Sequence, residues 1–192
     1  SDEARARWNQ LEGGKKQLLK FNDLLTFWSP VVNMARDPRW GRTQESYGED
    51  PFLSGSLGVQ FVKGLQGNHP RYLKTVATPK HFAVYNQETN RFANNAIVPI
   101  RFLREYYLPA CESCIVEGEA AAIMTSYNAV NGIPAGANHF LINDVLRKEW
   151  GFQGYVVSDC GGPNHLLDAH HFVATKQAAA VASINAGLDL EC

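Results

Sequence analysis

Short apolar runs alternate along the chain with stretches in which apolar residues recur at helical spacing. Phe27-Trp28-Ser29-Pro30-Val31-Val32-Asn33-Met34, Thr75 to Phe82, Ala120 to Thr125 and residues 154–158 each read as a strand, because a strand buried on both faces is a near-continuous apolar run. Gly187-Leu188-Asp189-Leu190 begins a fifth. Between them, Phe52, Leu53, Leu57, Phe61, Val62 and Leu65 recur with a helical period across 52–65. Further helices are expected over about 101–117, from Asn138 through Trp150 with Phe140, Leu141, Val145 and Leu146 on one face, and over Thr175 to Asn185. A long polar loop separates the second strand from the helix at 101. Ser1-Asp2-Glu3-Ala4-Arg5 reads like the middle of a helix, which places the natural N-terminus upstream and makes the lack of a leader uninformative about compartment.

Alternation of strands and helices implies right-handed crossovers and a parallel sheet. A doubly wound sheet and a (β/α)8 barrel both fit. Four strand-helix units and the start of a fifth make up about half a barrel. Neither a dinucleotide fingerprint nor a phosphate loop is present: Glu12-Gly13-Gly14-Lys15-Lys16 lacks the spacing and the flanking strand.

In a parallel sheet all carboxyl ends lie on one side, so residues after each strand share one mouth. The first strand delivers Arg36-Asp37-Pro38-Arg39-Trp40-Gly41-Arg42, the second Lys80-His81, the third Ser126-Tyr127-Asn128 and the fourth Asp159. One carboxylate among cations, a tyrosine and an aromatic suits an uncharged polyhydroxyl ligand. Lysine and arginine donate to hydroxyl oxygens, and Trp40 would offer a stacking face. Nearby cations favour the ionised form of Asp159, and an ionised carboxylate without an adjacent base suits nucleophilic attack.

Each residue also has a plainer role. Asp159 would cap a helix starting near Pro163. Arg42 would pair with Glu45 or Glu49, Lys80-His81 would be an ordinary charged strand end, and Tyr127-Asn128 would belong to the turn before Asn131-Gly132. His165, Asp168, His170 and His171 match no ligand spacing and read as a solvated helix end, so no metal and no cofactor is expected.

Bulk properties narrow the field. The 192 residues, 45% hydrophobic with net charge -1, suffice for one domain with a sizeable core. Such a chain lacks the clustered cations of a nucleic-acid binder, and no apolar stretch reaches the length of a membrane span. Four cysteines do not form a disulfide framework. Cys111 and Cys114 share a helix face and read as buried hydrophobes, whereas Cys192 would find its partner outside these residues. N-x-[ST] sequons are absent, which is compatible with a bacterial source.

Taken in order, Arg36 to Arg42, Glu45-Ser46-Tyr47-Gly48-Glu49-Asp50-Pro51, Lys80-His81-Phe82, Ser126-Tyr127-Asn128 with Asn131-Gly132, and Glu149-Trp150-Gly151-Phe152-Gln153-Gly154-Tyr155-Val156-Val157-Ser158-Asp159 resemble the N-terminal barrel of glycoside hydrolase family 3. The resemblance runs from about residue 27 to the end. It implies a single partial (β/α)8 barrel domain over 1–192, truncated at both ends, without the C-terminal domain of the same polypeptide. It further implies a retaining β-glycosidase with Asp159 as nucleophile and Arg42, Lys80, His81 and Tyr127 as sugar-binding residues. A second family aspartate that grips the sugar lies upstream, and the general acid comes from the second domain, so residues 1–192 alone would be inactive. A periplasmic or secreted setting would follow the family.

Ala83-Val84-Tyr85-Asn86-Gln87-Glu88 lacks the Asp-His pair of the N-acetylglucosamine branch. Ser158-Asp159-Cys160 with Phe27-Trp28-Ser29-Pro30 is closer to β-xylosidase-like members than to β-glucosidases, many of which have tryptophan at the Cys160 position. The expected substrate is therefore a β-xyloside or β-glucoside, in oligosaccharide or simple glycoside. The competing readings are an inactive sugar-binding barrel and a lyase using Lys80 as a Schiff base.

Overall fold

The computed structural model describes residues 1–12 and 24–192; Gly13 to Lys16 lie outside the described residues. Backbone pairing follows the apolar runs. Strand β1 (Thr26–Phe27) pairs in parallel with β2 (Val76–Ala77), and the contact continues through Val31 and Lys80. Phe82 then bridges Thr125 at the end of β4 (Ala122–Thr125). β4 pairs in register with β7 (Tyr155–Ser158), Ala122 facing Tyr155 and Thr125 facing Ser158. Val157 bridges Leu190. Each stave lies beside the next in sequence and all run in one direction. A doubly wound sheet reverses its order at a switch point; this arc does not. It is part of a (β/α)8 barrel.

The first two staves are less regular than the sequence implies. Pro30 and Pro79 interrupt the ladder, because proline has no N–H to donate, so strand geometry shrinks to two residues in each. Pairing survives around them: Val32 N–H donates to the Lys80 carbonyl (2.9 Å) and Lys80 N–H to the Pro30 carbonyl (2.9 Å).

Helices cover the outside of the arc. In α2 (Pro51–Gln66), Asp50 caps the first turn by accepting from Leu53 N–H (2.6 Å), with Pro51 at the first helical position. The buried face of α2 is Ser54, Gly55, Gly58, Val59, Val62 and Gln66, while Phe52, Leu53, Leu57 and Phe61 stay exposed. Its small residues let it lie close to α4 (Pro109–Val116): a Cβ on Gly58 would sit 2.6 Å from the Cys114 sulfur. The helix expected at 101–117 is one rod in pieces, α3 (Ile100–Phe102), a π-type turn Leu103–Tyr107, then α4. Pro109 causes the break, since it cannot donate and Leu108 N–H reaches back to the Leu103 carbonyl instead (3.0 Å). Phe140–Glu149 is also π-wound and buries Leu141, Ile142, Val145 and Leu146. After β7 come α5 (Gly162–Asp168) and α6 (Lys176–Ala186), and α1 (Asp2–Glu12) precedes β1.

The long polar loop is not structureless. It contributes β3 (Asn95–Ala96), which pairs in parallel with β5 (Ala129–Val130). β5 turns back into β6 (Ile133–Pro134). Asn131 (φ 51°) and Gly132 (φ 89°) both occupy left-handed space, the condition for a two-residue hairpin turn. This small sheet stands beyond the carboxyl ends of the second and third staves. No helix among the described residues is long and apolar enough to cross a membrane.

Candidate active site

Asp159 is the first residue past β7. Its side chain does not cap α5, whose leading residue Gly161 lies in left-handed space with no side-chain cap. Instead Oδ1 accepts from the Cys160 N–H (2.8 Å). Oδ2 faces His81 Nε2 at 3.6 Å, and the side chain keeps 15% of its surface open. One oxygen is held and the other is presented.

His81, 1% exposed, is turned by Asn33. Asn33 Oδ1 accepts from the His81 backbone N–H (2.8 Å) and stands 2.9 Å from Nδ1. Because Asn33 Nδ2 donates to the His81 carbonyl (2.9 Å), Oδ1 must be the atom facing the ring. Nδ1 therefore carries the proton and Nε2 a lone pair, which accepts from Arg42 Nη1 (3.3 Å). Burial, then Arg42 and Lys80, hold this imidazole well below its usual pKa. A neutral ring with a lone pair toward Asp159 makes no ion pair with it, despite the short distance.

Arg42 makes the pairing with Glu45 that its plainer role expects. It clamps Glu45 with two bonds (2.7 and 2.8 Å) and reaches His81 with its remaining nitrogen. Glu49 and Asp50 do not hold arginines: the Glu49 carbonyl accepts from Tyr106 and Asp50 caps α2. Arg36 and Arg39 do not join the mouth. Arg36 lies over the rings of Phe102, Tyr106 and Tyr107, and Arg39 is tied to Asp37 (2.6 Å) at the surface.

The Lys80 ammonium makes no hydrogen bond or ion pair among the described residues, yet it lies in the field of Arg42, Asp159 and Glu45. Burial lowers its pKa, with Arg42 adding to the effect, so this lysine is more desolvated than its polar neighbours imply. Tyr127 donates to the Cys160 carbonyl (3.0 Å). Its phenol pKa is raised by burial and by the negative charge of Asp159. Lys80, His81 and Tyr127 thus stand around Asp159, and Arg42 joins them through His81.

Trp40 is a correction. It is 5% exposed, stands edge-on to Tyr85 and donates to Glu88 (3.1 Å), so its face is spent on packing. The exposed aromatic at this end is Phe92, which stacks on His165 (4.2 Å) and meets Tyr127 edge-on (4.8 Å). Sequence reading missed it, because nothing in a polar loop marks the phenylalanine that reaches a neighbouring strand end. His165 and His170 are likewise not merely solvated: the His170 ring bonds the Tyr127 carbonyl (2.8 Å). Among the described residues no three His, Cys, Asp or Glu side chains gather as a metal site.

Cys111 and Cys114 are buried, and burial pushes the Cys111 thiol up to about 12. They are inert packing residues. Cys192, expected to look outside these residues for a partner, is a free thiol whose sulfur stands 3.1 Å from that of Cys160.

Comparison with known proteins identifies the family and the fold. The chain is 43% identical to beta-D-xylosidase 3 of Arabidopsis thaliana and 43% identical to an exo-1,4-beta-xylosidase of Emericella nidulans, in both cases over its whole length. It spans about a quarter of the length of these relatives (24% and 25%). Among solved structures, a family 3 exo-beta-xylosidase in complex with a xylobiose aziridine probe superposes with a TM-score of 0.87 at 35% identity. That alignment covers 98% of this chain and 25% of the other. A β-glucosidase of Erythrobacter marinus gives 0.84 at 31% identity, covering 97% and 25%. The profile described as "Glycosyl hydrolase family 3 N terminal domain" matches residues 16–192, and the chain belongs to this family.

Proposed function

We propose that the protein hydrolyses terminal, non-reducing β-linked sugars, β-xylosides in the first place, through a covalent glycosyl-enzyme on Asp159. The observation that carries this reading is the unequal carboxylate: Oδ1 is tied to the Cys160 N–H and Oδ2 faces His81, with Lys80 and Tyr127 close to the group. Oδ2 attacks the anomeric carbon as the bond to the leaving oxygen breaks, and a general acid supplies that oxygen with its proton. The same group, now a base, takes a proton from water, whose oxygen displaces Asp159 and releases the sugar with its original anomeric configuration. Lys80 and Arg42 hold hydroxyls of the sugar, and Tyr127 lies against the nucleophile. His81 keeps Arg42 in position and offers a lone pair rather than a proton.

The general acid belongs to a part of the polypeptide outside 1–192, in a C-terminal domain. Retention requires a second carboxyl about 5–5.5 Å from the first. Glu45 is engaged by Arg42. Glu88 accepts from Trp40, Tyr85 and Arg91 and lines a separate cleft of ≈ 290 Å³ that excludes Asp159. Neither is free for proton transfer. The names of the relatives favour xylosides, and the β-glucosidase among the structural neighbours makes the glucoside the second reading.

The test uses the full-length enzyme with 2-deoxy-2-fluoro-β-xyloside and -glucoside carrying a good leaving group. Asp159 should be labelled, faster by the xyloside, and Asp159→Asn should lose several orders of magnitude in kcat with the fold intact. Labelling of another carboxylate would sink the assignment.

A further inference from the structure

Cys160 and Cys192 lie just past the ends of neighbouring staves. Cys160 comes two residues after Ser158, the last residue of β7, and Cys192 two residues after Leu190. Because Leu190 bridges Val157, the register sets Cys192 level with Asp159 and Cys160 one residue further on. Their sulfurs are 3.1 Å apart, within about an ångström of a disulfide bond. Three hydrogen bonds hold the stretches together without help from the sulfurs: Ser158 N–H to the Leu190 carbonyl (2.9 Å), Gly161 N–H to the Cys192 carbonyl (2.6 Å) and Cys192 N–H to Ser158 Oγ (3.3 Å). Both thiols are exposed and therefore open to exchange.

The backbone of Cys160 is what makes this pair consequential. Its N–H holds Asp159 Oδ1, and its carbonyl accepts from Tyr127. We propose that Cys160 and Cys192 form a disulfide that fixes this peptide and thereby the orientation of Asp159, making turnover sensitive to the redox state of the pair. The positioning role rests on the function proposed for Asp159; the bond itself does not.

The oxidant is a low-molecular-weight disulfide such as oxidised glutathione. The Cys160 thiolate attacks one of its sulfurs and expels one glutathione thiolate, leaving a mixed disulfide. The Cys192 thiolate then attacks Cys160 Sγ and expels the second. Two protein thiols are oxidised, one small disulfide is reduced to two thiols, and the protein's two protons pass to the departing thiolates. Desolvation and the contact with Cys160 raise the Cys192 pKa, which disfavours Cys192 as the first attacker.

The experiment takes the full-length protein after oxidised glutathione or after reductant, alkylates it with iodoacetamide, and analyses tryptic peptides alongside steady-state kinetics. Oxidised protein should yield a linked pair containing Cys160 and Cys192. Reductant should release it and lower kcat by roughly 3- to 10-fold, the size of one lost neutral hydrogen bond, with KM nearly unchanged and recovery on reoxidation. Cys192→Ser should sit at the reduced value and ignore reductant. Alkylation of both thiols after oxidised glutathione would overturn the bond. A linked protein whose kcat is indifferent to reductant would overturn the positioning role. Failure of the fluoro-sugar to label Asp159 in either redox state would instead count against the proposed nucleophile.

Discussion

Asn33 sets the protonation pattern of His81. Its amide accepts from the His81 N–H and stands 2.9 Å from Nδ1, while donating to the His81 carbonyl, so a residue one stave away decides which ring nitrogen bears the proton. Nitrogen NMR of the histidine ring should find Nδ1 protonated and Nε2 bare. Asn33→Leu leaves buried groups of His81 unsatisfied, at a cost of about 1–3 kcal/mol for each, and urea unfolding should register the loss.

The same burial gives stability a pH dependence. The folded state holds the His81 pKa well below its ordinary value, whereas the unfolded chain titrates near about 6.5. Below that value the unfolded state binds more protons, so stability rises with pH in this window. The contribution is fully present above about pH 6.5 and is lost as pH falls toward the folded pKa. In denaturant titrations from mildly acidic to neutral pH, His81→Gln should flatten this slope.

The Lys80 ammonium is a donor of the mouth without a hydrogen-bond partner among the described residues. A hydrogen bond to a charged group contributes about 1.5–3 kcal/mol, so Lys80→Ala should lower kcat/KM by roughly 10- to 150-fold. Its desolvation also keeps the Schiff-base alternative testable. Borohydride trapping with carbonyl substrates should leave Lys80 unmodified; a labelled lysine would favour the lyase.

Glu88 separates the proposed acid from an internal one. Glu88→Gln should weaken the contacts to Trp40, Tyr85 and Arg91 without making the rate depend more steeply on leaving-group quality. Loss confined to poor leaving groups would identify Glu88 as the acid. Residues 1–192 alone should give no turnover of aryl β-xylosides that the full-length enzyme hydrolyses.

Gly154 marks a place where no side chain fits. A Cβ there would sit 2.2 Å from the Ala121 carbonyl oxygen, just before β4 and β7 pair. Overpacking typically costs about 1–3 kcal/mol, and clash with backbone should put Gly154→Ala at or above that range in thermal unfolding.

The strand ends were legible because chemistry sat next to pattern: an apolar run ending in Asp159, another ending in Lys80-His81. Barrel and doubly wound sheet could not be told apart from those runs, since the difference lies in which strands are neighbours. Phe52 and Leu57 looked like a core face, yet glycines and Val62 take that place because α2 must lie close to α4. Trp40 looked free, and only the fold sets Tyr85 and Glu88 around it. Cys160 and Cys192 were in plain view. Their meeting depends on the pairing of Val157 with Leu190 and on the turn after Asp159, neither of which shows in the sequence.

The inequality of the two Asp159 oxygens bears on the second half of the proposed reaction. An ester formed through Oδ2 leaves Oδ1 as its carbonyl oxygen, already facing an N–H at 2.8 Å. On the proposed mechanism, water displaces Asp159 from the sugar and negative charge returns to a carboxyl group that already has a donor. The leaving group of the proposed deglycosylation would thus be stabilised by a backbone dipole that need not move between the two steps.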